Sequence, residues 1–209
     1  MLQKIRNFAA QLGLPLSLAQ AGQLCTYAQC VWDKMDTLNL TSAADFNEVI
    51  ERHIFDGLTA AWQIAQICKG NPPPQLADAG AGCGYIGMSV AAALPQAHVT
   101  LIESLERRCK FMNWAALTAG ITNVRIKNTR LGQGTHFAFD VLTERAMGQL
   151  PDIFDICMDA VKPGGVFMAF QGEHPQTAHV SSGVWKEQVY HLPCDNTPRY
   201  LVLFKKDDA

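Results

Sequence analysis

No apolar run in the sequence is long enough to span a membrane, and the opening Met1-Leu2-Gln3-Lys4-Ile5-Arg6 lacks the pattern of a signal peptide. No two cysteines are spaced as CxxC. Seven stand singly at 25, 30, 68, 83, 109, 157 and 194, which fits buried free thiols in a reducing compartment, so the expected location is cytoplasmic. His174, His179, His191 and Cys194 repeat no compact ligand spacing, so structural or surface roles are expected for them and no metal. An excess of one charge is also missing. A net charge of −2 gives no global attraction to nucleic acid, so any RNA partner must be held by a local basic patch. What is plentiful is apolar material. With 48% hydrophobic and 17% charged residues over 209 positions, the chain can bury a sizeable core as one domain with a small appendage.

The stretch Leu76-Ala77-Asp78-Ala79-Gly80-Ala81-Gly82-Cys83-Gly84-Tyr85-Ile86-Gly87 follows a three-proline break and precedes a small-residue helical run, Met88 to Leu94. It reads as a strand ending at Asp78, a tight turn, and a new helix. Glycines at 80, 82 and 84 remove Cβ atoms, so the backbone turns sharply and a ligand can approach it. The helix N-terminus then offers free N–H groups and a partial positive charge. That is a nucleotide-type site.

Upstream, residues 1–70 read as a helical region. Gln3 to Leu12 is a short helix stopped by Gly13 and Pro15. Ser17 caps a longer one carrying Leu18, Ala21, Cys25, Ala28, Trp32 and Met35 at helical spacing, with a loop from Asp36 to Ala44. Trp32 and Met35 are expected to be core. Asp45 and Glu48 form a capping box for a helix through Phe55 or beyond, and Leu58 to Cys68 continues helically. Arg52, His53 and Asp56 make a polar cluster on that helix. Residue types alone favour an interdomain salt link over a ligand wall. Gly70-Asn71-Pro72-Pro73-Pro74 is a stiff connector.

Residues 71–209 read as an α/β unit. His98 to Glu103 is a second buried strand, and Glu103 lies about twenty residues after the glycines, the spacing of an acid that bonds ribose hydroxyls. Ser104 caps the next helix, which runs to Gly120. Asn123–Lys127 and Phe137–Thr143 are the third and fourth strands, Pro151 to Val161 a helix, and Val166 to Phe170 the fifth strand after Lys162-Pro163-Gly164-Gly165. Gln188–Tyr190 and Tyr200–Phe204 form a closing antiparallel pair. The alternation predicts a Rossmann-like, mostly parallel sheet with helices on both faces, and ligands at the carboxyl ends of the strands, where Asp78, Glu103 and Arg145 fall.

Gly82-Cys83-Gly84-Tyr85-Ile86-Gly87 also satisfies the dinucleotide pattern. Three features favour S-adenosylmethionine (AdoMet) over NAD. Asp78 stands where a carboxylate could face a methionine ammonium. The Pro-Gly-Gly turn and closing pair suit the class I methyltransferase sheet. Little chain remains for a hydride-acceptor domain.

Asn39-Leu40-Thr41-Ser42, Arg52-His53-Ile54-Phe55-Asp56-Gly57, Asp78 to Gly84, Ile102-Glu103-Ser104 with Arg107-Arg108 and Phe111-Met112, Glu144-Arg145-Ala146 and Gln171-Gly172 occur in one order over nearly the whole chain. In these stretches it resembles the RsmG (GidB) family of methyltransferases, which modify a guanosine N7 in small-subunit ribosomal RNA. The resemblance implies an N-terminal helical cap, an AdoMet domain, and basic residues approaching rRNA on the small ribosomal subunit. It also moves the Arg52–Asp56 cluster towards a structural element beside the cofactor. The chain departs from the family in carrying Gln171 where a lysine is usual, Gly132 and Gln133 where acids near the adenine are typical, and Glu103 for aspartate. Cofactor contacts are expected from Asp78, Gly80, Gly82, Gly84, Ile86, Glu103, Ser104 and Arg145.

Guanine N7 carries its own lone pair, so methyl transfer needs alignment and no general base. Arg145 could bind the guanine O6 edge or a phosphate through its fork of donors, with Arg130 in a similar role. Arg107, Arg108, Lys110, Arg125 and Lys127 could form the basic patch. Methylation of another RNA or a small molecule, and non-catalytic AdoMet or RNA binding, remain the alternatives.

Overall fold

The computed structural model describes residues 1–38, 43–69, 73–134, 136–173, 185–193 and 195–208, with the backbone alone at 195. Asn39-Leu40-Thr41-Ser42, Gly70-Asn71-Pro72, His174, His179 and Cys194 therefore lie outside the described residues.

Seven strands form one sheet in the order β3-β2-β1-β4-β5-β7-β6. They are β1 (Gln75–Ala79), β2 (His98–Glu103), β3 (Val124–Asn128), β4 (Phe139–Arg145), β5 (Val161–Gln171), β6 (Lys186–Leu192) and β7 (Asp195–Lys205). The first five are parallel, and β7 runs antiparallel to both β5 and β6. The parallel order reverses beside β1, so the carboxyl ends of β1, β2 and β4 surround one crevice.

The helices are α1 (Leu2–Gln11), α2 (Leu18–Leu38), α3 (Phe46–Glu48), α4 (Phe55–Ile67), α5 (Tyr85–Ala93), α6 (Glu106–Ala119) and α7 (Leu150–Asp159). Ser17 and Gln20 cap α2 reciprocally, with N···O distances of 2.9 and 3.2 Å. Helix α2 runs on to Leu38, past the expected loop start at Asp36. Asp45 Oδ1 accepts from the Glu48 N–H at 2.8 Å, and Glu48 reaches back to the Ala44 N–H, giving the expected cap.

The expected continuous helix through Phe55 is broken by a π-helical turn, Val49–Ile54, whose end is marked by a Phe55 N–H bond to the Ile50 carbonyl. Ser104 is a second correction. The cap position of α6 is Leu105, and Glu103 Oε1 accepts its N–H at 2.8 Å, so the strand-end carboxylate serves the helix where a serine was expected.

Two apolar layers hold the sheet. One runs from Ile5 and Phe8 through Tyr27, Phe55 and Met88 to Leu203, so the N-terminal helices share a single core with α5, α6 and one sheet face. The other packs α7 on the opposite face around Phe154, Phe167 and Phe204. Close approach depends on small residues. A Cβ at Gly57 would sit 2.3 Å from Ser89 Cβ, so the glycine lets α4 lie against α5. That contact brings the neighbouring Asp56 to the mouth of the crevice. Tyr27 ties α2 to the glycine turn by donating to the Cys83 carbonyl at 2.9 Å.

Candidate active site

The turn after β1 has the backbone its glycines predict, with φ of +61° at Gly80, +63° at Gly82 and +93° at Gly84. Gly84 is the left-handed N-cap of α5. A Cβ at Gly82 would meet only the Gly80 carbonyl, at 4.0 Å, so the backbone faces open space there. At Gly87 a Cβ would fall 1.9 Å from Leu101 Cδ2, so glycine is required for α5 to pack on β2.

Asp78 is buried at the end of β1. Its Oδ2 accepts from the Gly87 N–H and its Oδ1 from the Thr143 hydroxyl, both at 2.9 Å. Burial pushes its pKa up to about 6, against the lowering effect of those two bonds. It lines the crevice while bracing the turn. Glu103, at the end of β2, accepts from the Gly82 N–H at 2.9 Å on Oε2, and Arg108 stands 3.7 Å from the same oxygen. Its carboxylate thus joins the glycine turn to the start of α6.

Arg145 ends β4. Its Nη1 donates to Asp56 Oδ2 at 2.8 Å, and Nη2 lies 3.3 Å from His53 Nδ1. The guanidinium sits 5.3 Å from the centre of the Tyr85 ring, and His53 stacks on that ring at 4.0 Å. Burial, then the charges of Arg145, Arg52 and Arg199, push the His53 pKa down to about 3, so its imidazole is neutral. Asp56, 1% exposed, also accepts from Arg199 at 3.1 Å and from the Tyr190 hydroxyl at 2.8 Å. The cluster is therefore both an interlayer link and a wall of the crevice. Arg52 pairs with Glu48 at 2.9 Å on the rim.

Three cavities run side by side across the strand ends. The first, about 380 Å³, is lined by Gly80, Glu103, Ser104, Arg130, Met147 and Ile153, among others. The second, about 310 Å³, has Asp78, Gly82, Tyr85, Ile86 and Arg145. The third, about 350 Å³, has Arg145, Phe170, Gln171, Tyr190 and Arg199. Ala146 lines all three, in a left-handed conformation at φ +61°. Arg130 is exposed and lines the first cavity, whereas Arg145 lines the second and third. Arg107 and Arg125 are exposed, and Lys110 pairs with Glu106 on the surface of α6.

Tyr85, Ala146, Tyr190 and Arg199 escaped the reading of the sequence. Positive φ at an alanine has no sequence signature. Arg199 heads the run Tyr200-Leu201-Val202-Leu203-Phe204, and an isolated arginine entering an apolar strand was its only available signal.

Glu144 and Gln171 explain how the crevice wall closes. Glu144 is fully buried; its Oε1 accepts from Gln171 Nε2 at 3.0 Å and its Oε2 from the Met147 N–H at 3.3 Å. Burial, and secondarily the Asp78 charge, pushes its pKa up to about 7. The amide at 171 is thus a neutral partner for a buried acid, which in turn holds the Ala146–Met147 turn across the cavities.

The donor set fits an adenosine carrying a sulfonium amino acid. An acid stands beside the first cavity, the glycine backbone lies between the first and second, aliphatic side chains wall the first, and Tyr85 and Ile86 line the second.

The chain is similar to solved methyltransferases. One is a class I S-adenosylmethionine-dependent methyltransferase from Listeria monocytogenes, with a TM-score of 0.63, 10% identity, and coverage of 100% of this chain and 87% of that one. Another is a SAM-dependent O-methyltransferase from Thermotoga maritima, with a TM-score of 0.56, 17% identity, and coverage of 85% and 71%. At such identities they establish the fold, a class I methyltransferase sheet. Sequence relatives are closer. Ribosomal RNA small subunit methyltransferase G from Staphylococcus haemolyticus is 30% identical over 207 residues, covering 93% of this chain and 85% of that protein. The Bacillus cereus protein of the same name is 27% identical over 219 aligned positions, covering 98% and 90%. The family model for GidB, described as rRNA small subunit methyltransferase G, matches residues 20–186, and the chain belongs to that family.

Proposed function

We propose that the protein is an AdoMet-dependent methyltransferase acting on small-subunit ribosomal RNA, at N7 of a guanosine, in the cytoplasm. The observation that carries the reading is the row of three adjoining cavities that share lining residues, with a nucleoside-type acid at one end and paired arginines at the other.

Glu103 and Ser104 would hold the ribose, and Met147, Ile153 and Leu131 would enclose the adenine. The Gly80–Gly84 turn, Asp78 and Ile86 would seat the methionine part. When bound, the cofactor supplies an electrophilic methyl group on a sulfonium. Every other requirement falls on alignment, because the acceptor nitrogen already has a lone pair and no proton need leave before attack. Arg145 lies between the second and third cavities, where its fork of donors can orient the acceptor. It is held there by Asp56 and by the Tyr85 ring face. His53, neutral, packs beside it without adding charge. Arg130, exposed on the rim of the first cavity, is assigned to contact with the RNA backbone.

Methyl transfer from tritiated AdoMet to small ribosomal subunits, from cells lacking the protein, tests the reading. Label at guanosine N7 is expected. Label elsewhere, or on a small molecule alone, rejects it, and absence of AdoMet binding at millimolar concentration by calorimetry rejects every methyltransferase reading.

A further inference from the structure

Glu144 lines none of the three cavities, yet it is bonded to the walls of two of them. Its Oε1 accepts from Gln171 Nε2 at 3.0 Å, and Gln171 lines the third cavity but not the first. Its Oε2 accepts from the Met147 N–H at 3.3 Å, and Met147 lines the first cavity but not the third. The residue is 0% exposed, so bulk water competes for neither oxygen. One buried carboxylate thus joins the two ends of the site.

The turn it holds shapes the first cavity. Ala146 stands there at φ +61°, a backbone state that an alanine keeps only when its surroundings impose it. The bond from the Met147 N–H to Glu144 closes the turn around that alanine. Beyond it the Met147 side chain lies against the glycine turn, where a Cβ at Gly80 would fall 2.8 Å from Met147 Cγ. Among the described residues, those facing Glu144 bring no cation. Gln171 on β5 is an amide, and Asp78 on β1 adds negative charge. Cys157 on α7 keeps its proton, because burial and the Glu144 charge push its pKa up. Arg145, next in β4, is turned away to Asp56.

We propose that Glu144 is a positioning residue that couples the two ends of the site: it holds the Met147 wall against the cofactor's adenosine, and Gln171 in the third cavity sets how firmly. The coupling deepens the function above and rests on the adenosine lying in the first cavity. An ionised carboxylate accepts both bonds at full strength, whereas a protonated one offers a weaker hydroxyl oxygen to one of them. The Gln171 bond favours the ionised form, so losing it moves Glu144 towards the protonated one. Linkage makes the effect reciprocal. An acceptor that draws the Gln171 amide into the third cavity loosens the nucleoside in the first, and a bound nucleoside steadies Gln171.

The probe is 5′-methylthioadenosine, which carries the adenosine and its sulfur without the amino acid and has no group that titrates near neutrality. Its affinity is measured by calorimetry at pH 6.5 and 8, above the Asp78 pKa of about 6, for the wild type, Gln171→Leu, Gln171→Lys and Glu144→Gln. With Glu144 ionising at about pH 7 and one net hydrogen bond at stake, wild-type affinity should rise about two- to threefold with pH. Gln171→Leu should bind about two- to tenfold more weakly at pH 8, although residue 171 lies outside the first cavity. Gln171→Lys keeps a donor and holds Glu144 ionised, so its affinity should be the same at both pH values, as should that of Glu144→Gln. A merely structural role would lower affinity without flattening the pH profile. Wild-type affinity in Gln171→Leu overturns the coupling, and so does a flat wild-type profile or a rise that survives in Glu144→Gln. A wild type that binds the nucleoside while these variants behave like it leaves the function standing and removes only the coupling. A wild type that binds no nucleoside at millimolar concentration removes the adenosine placement and the coupling with it, and failure to bind AdoMet as well removes the methyltransferase reading.

Discussion

Asp56→Asn is the sharpest single probe of the site. The substitution keeps the shape of the side chain but replaces two acceptor oxygens with one oxygen and one NH₂ group. In the wild type these oxygens accept three bonds, from Arg145, Arg199 and Tyr190. In the variant, two neighbouring guanidinium ions lose the carboxylate they share. Removing one partner of a buried ion pair costs about 3–5 kcal/mol. Both arginines are partly exposed, 24% and 17%, so water screens some of the repulsion and the lower end, about 3 kcal/mol, is expected. For a chain of 209 residues, 1 kcal/mol corresponds to a Tm shift of about 2–4 °C, so the melting temperature should fall by about 6–12 °C. Thermal and urea denaturation read this directly. A double-mutant cycle sharpens it. With Arg199→Met already present, only one cation loses its partner, so Asp56→Asn should cost about 1 kcal/mol less than in the wild type. A Tm drop below about 2 °C, or strictly additive costs, would refute the shared-oxygen arrangement.

Three further outcomes are expected. Glu144 and Asp78 have folded-state pKa values near 7 and 6, above their ordinary 4.5 and 3.8, so both bind a proton more tightly when folded, and their contribution is lost as pH rises through those values. Between pH 8 and 6.5 the wild type should therefore gain stability on acidification, Glu144 supplying roughly 1 kcal/mol and His53, whose folded pKa of about 3 acts oppositely, cancelling about half. Urea titrations across that window should show the gain in the wild type and a flat or reversed trend in Glu144→Gln; a wild type that loses stability on acidification contradicts the assignment. Gly87→Ala places a methyl group 1.9 Å from Leu101 Cδ2 and should destabilise by about 1–3 kcal/mol while weakening AdoMet at least tenfold in calorimetry. Ala146→Gly relieves the left-handed conformation at φ +61° but adds unfolded-chain entropy, so a net gain of about 0.5 kcal/mol is expected, and a loss above 1 kcal/mol would show that the alanine methyl is needed by its neighbours.

Much of the architecture was legible because local chemistry and global fold agree here. The bounds of β2 follow from an apolar run ending in an acid, and the starts of α2 and α3 from capping residues that make the expected bonds. The glycine turn needs positive φ at 80, 82 and 84, which only those residues supply cheaply. What was illegible depends on partners far away in sequence. Asp56 meets Arg145 across 89 positions and Arg199 across 143, and no local pattern foretells either. Glu144 and Arg145 are adjacent in the chain but part in the fold. Successive residues in a strand point to opposite faces, so Glu144 goes to a fully buried site with Gln171 while Arg145 enters the crevice. Ser104 failed as a cap because the longer carboxylate of Glu103 reaches the Leu105 N–H first.

The π-helical turn at Val49–Ile54 has a consequence for how this region tolerates change in length. Each residue advances an α-helix by about 100°, so one residue added or removed reorients everything on the far side. Downstream, Gly57 against Ser89 and Asp56 among its three donors clamp α4 in place. A one-residue deletion within the turn would therefore leave the catalytic side still and swing the Asp45–Glu48 entry segment through about a quarter of a circle. Substitutions here alter contacts one at a time, whereas a single insertion or deletion acts as a gear step between the N-terminal helices and the site.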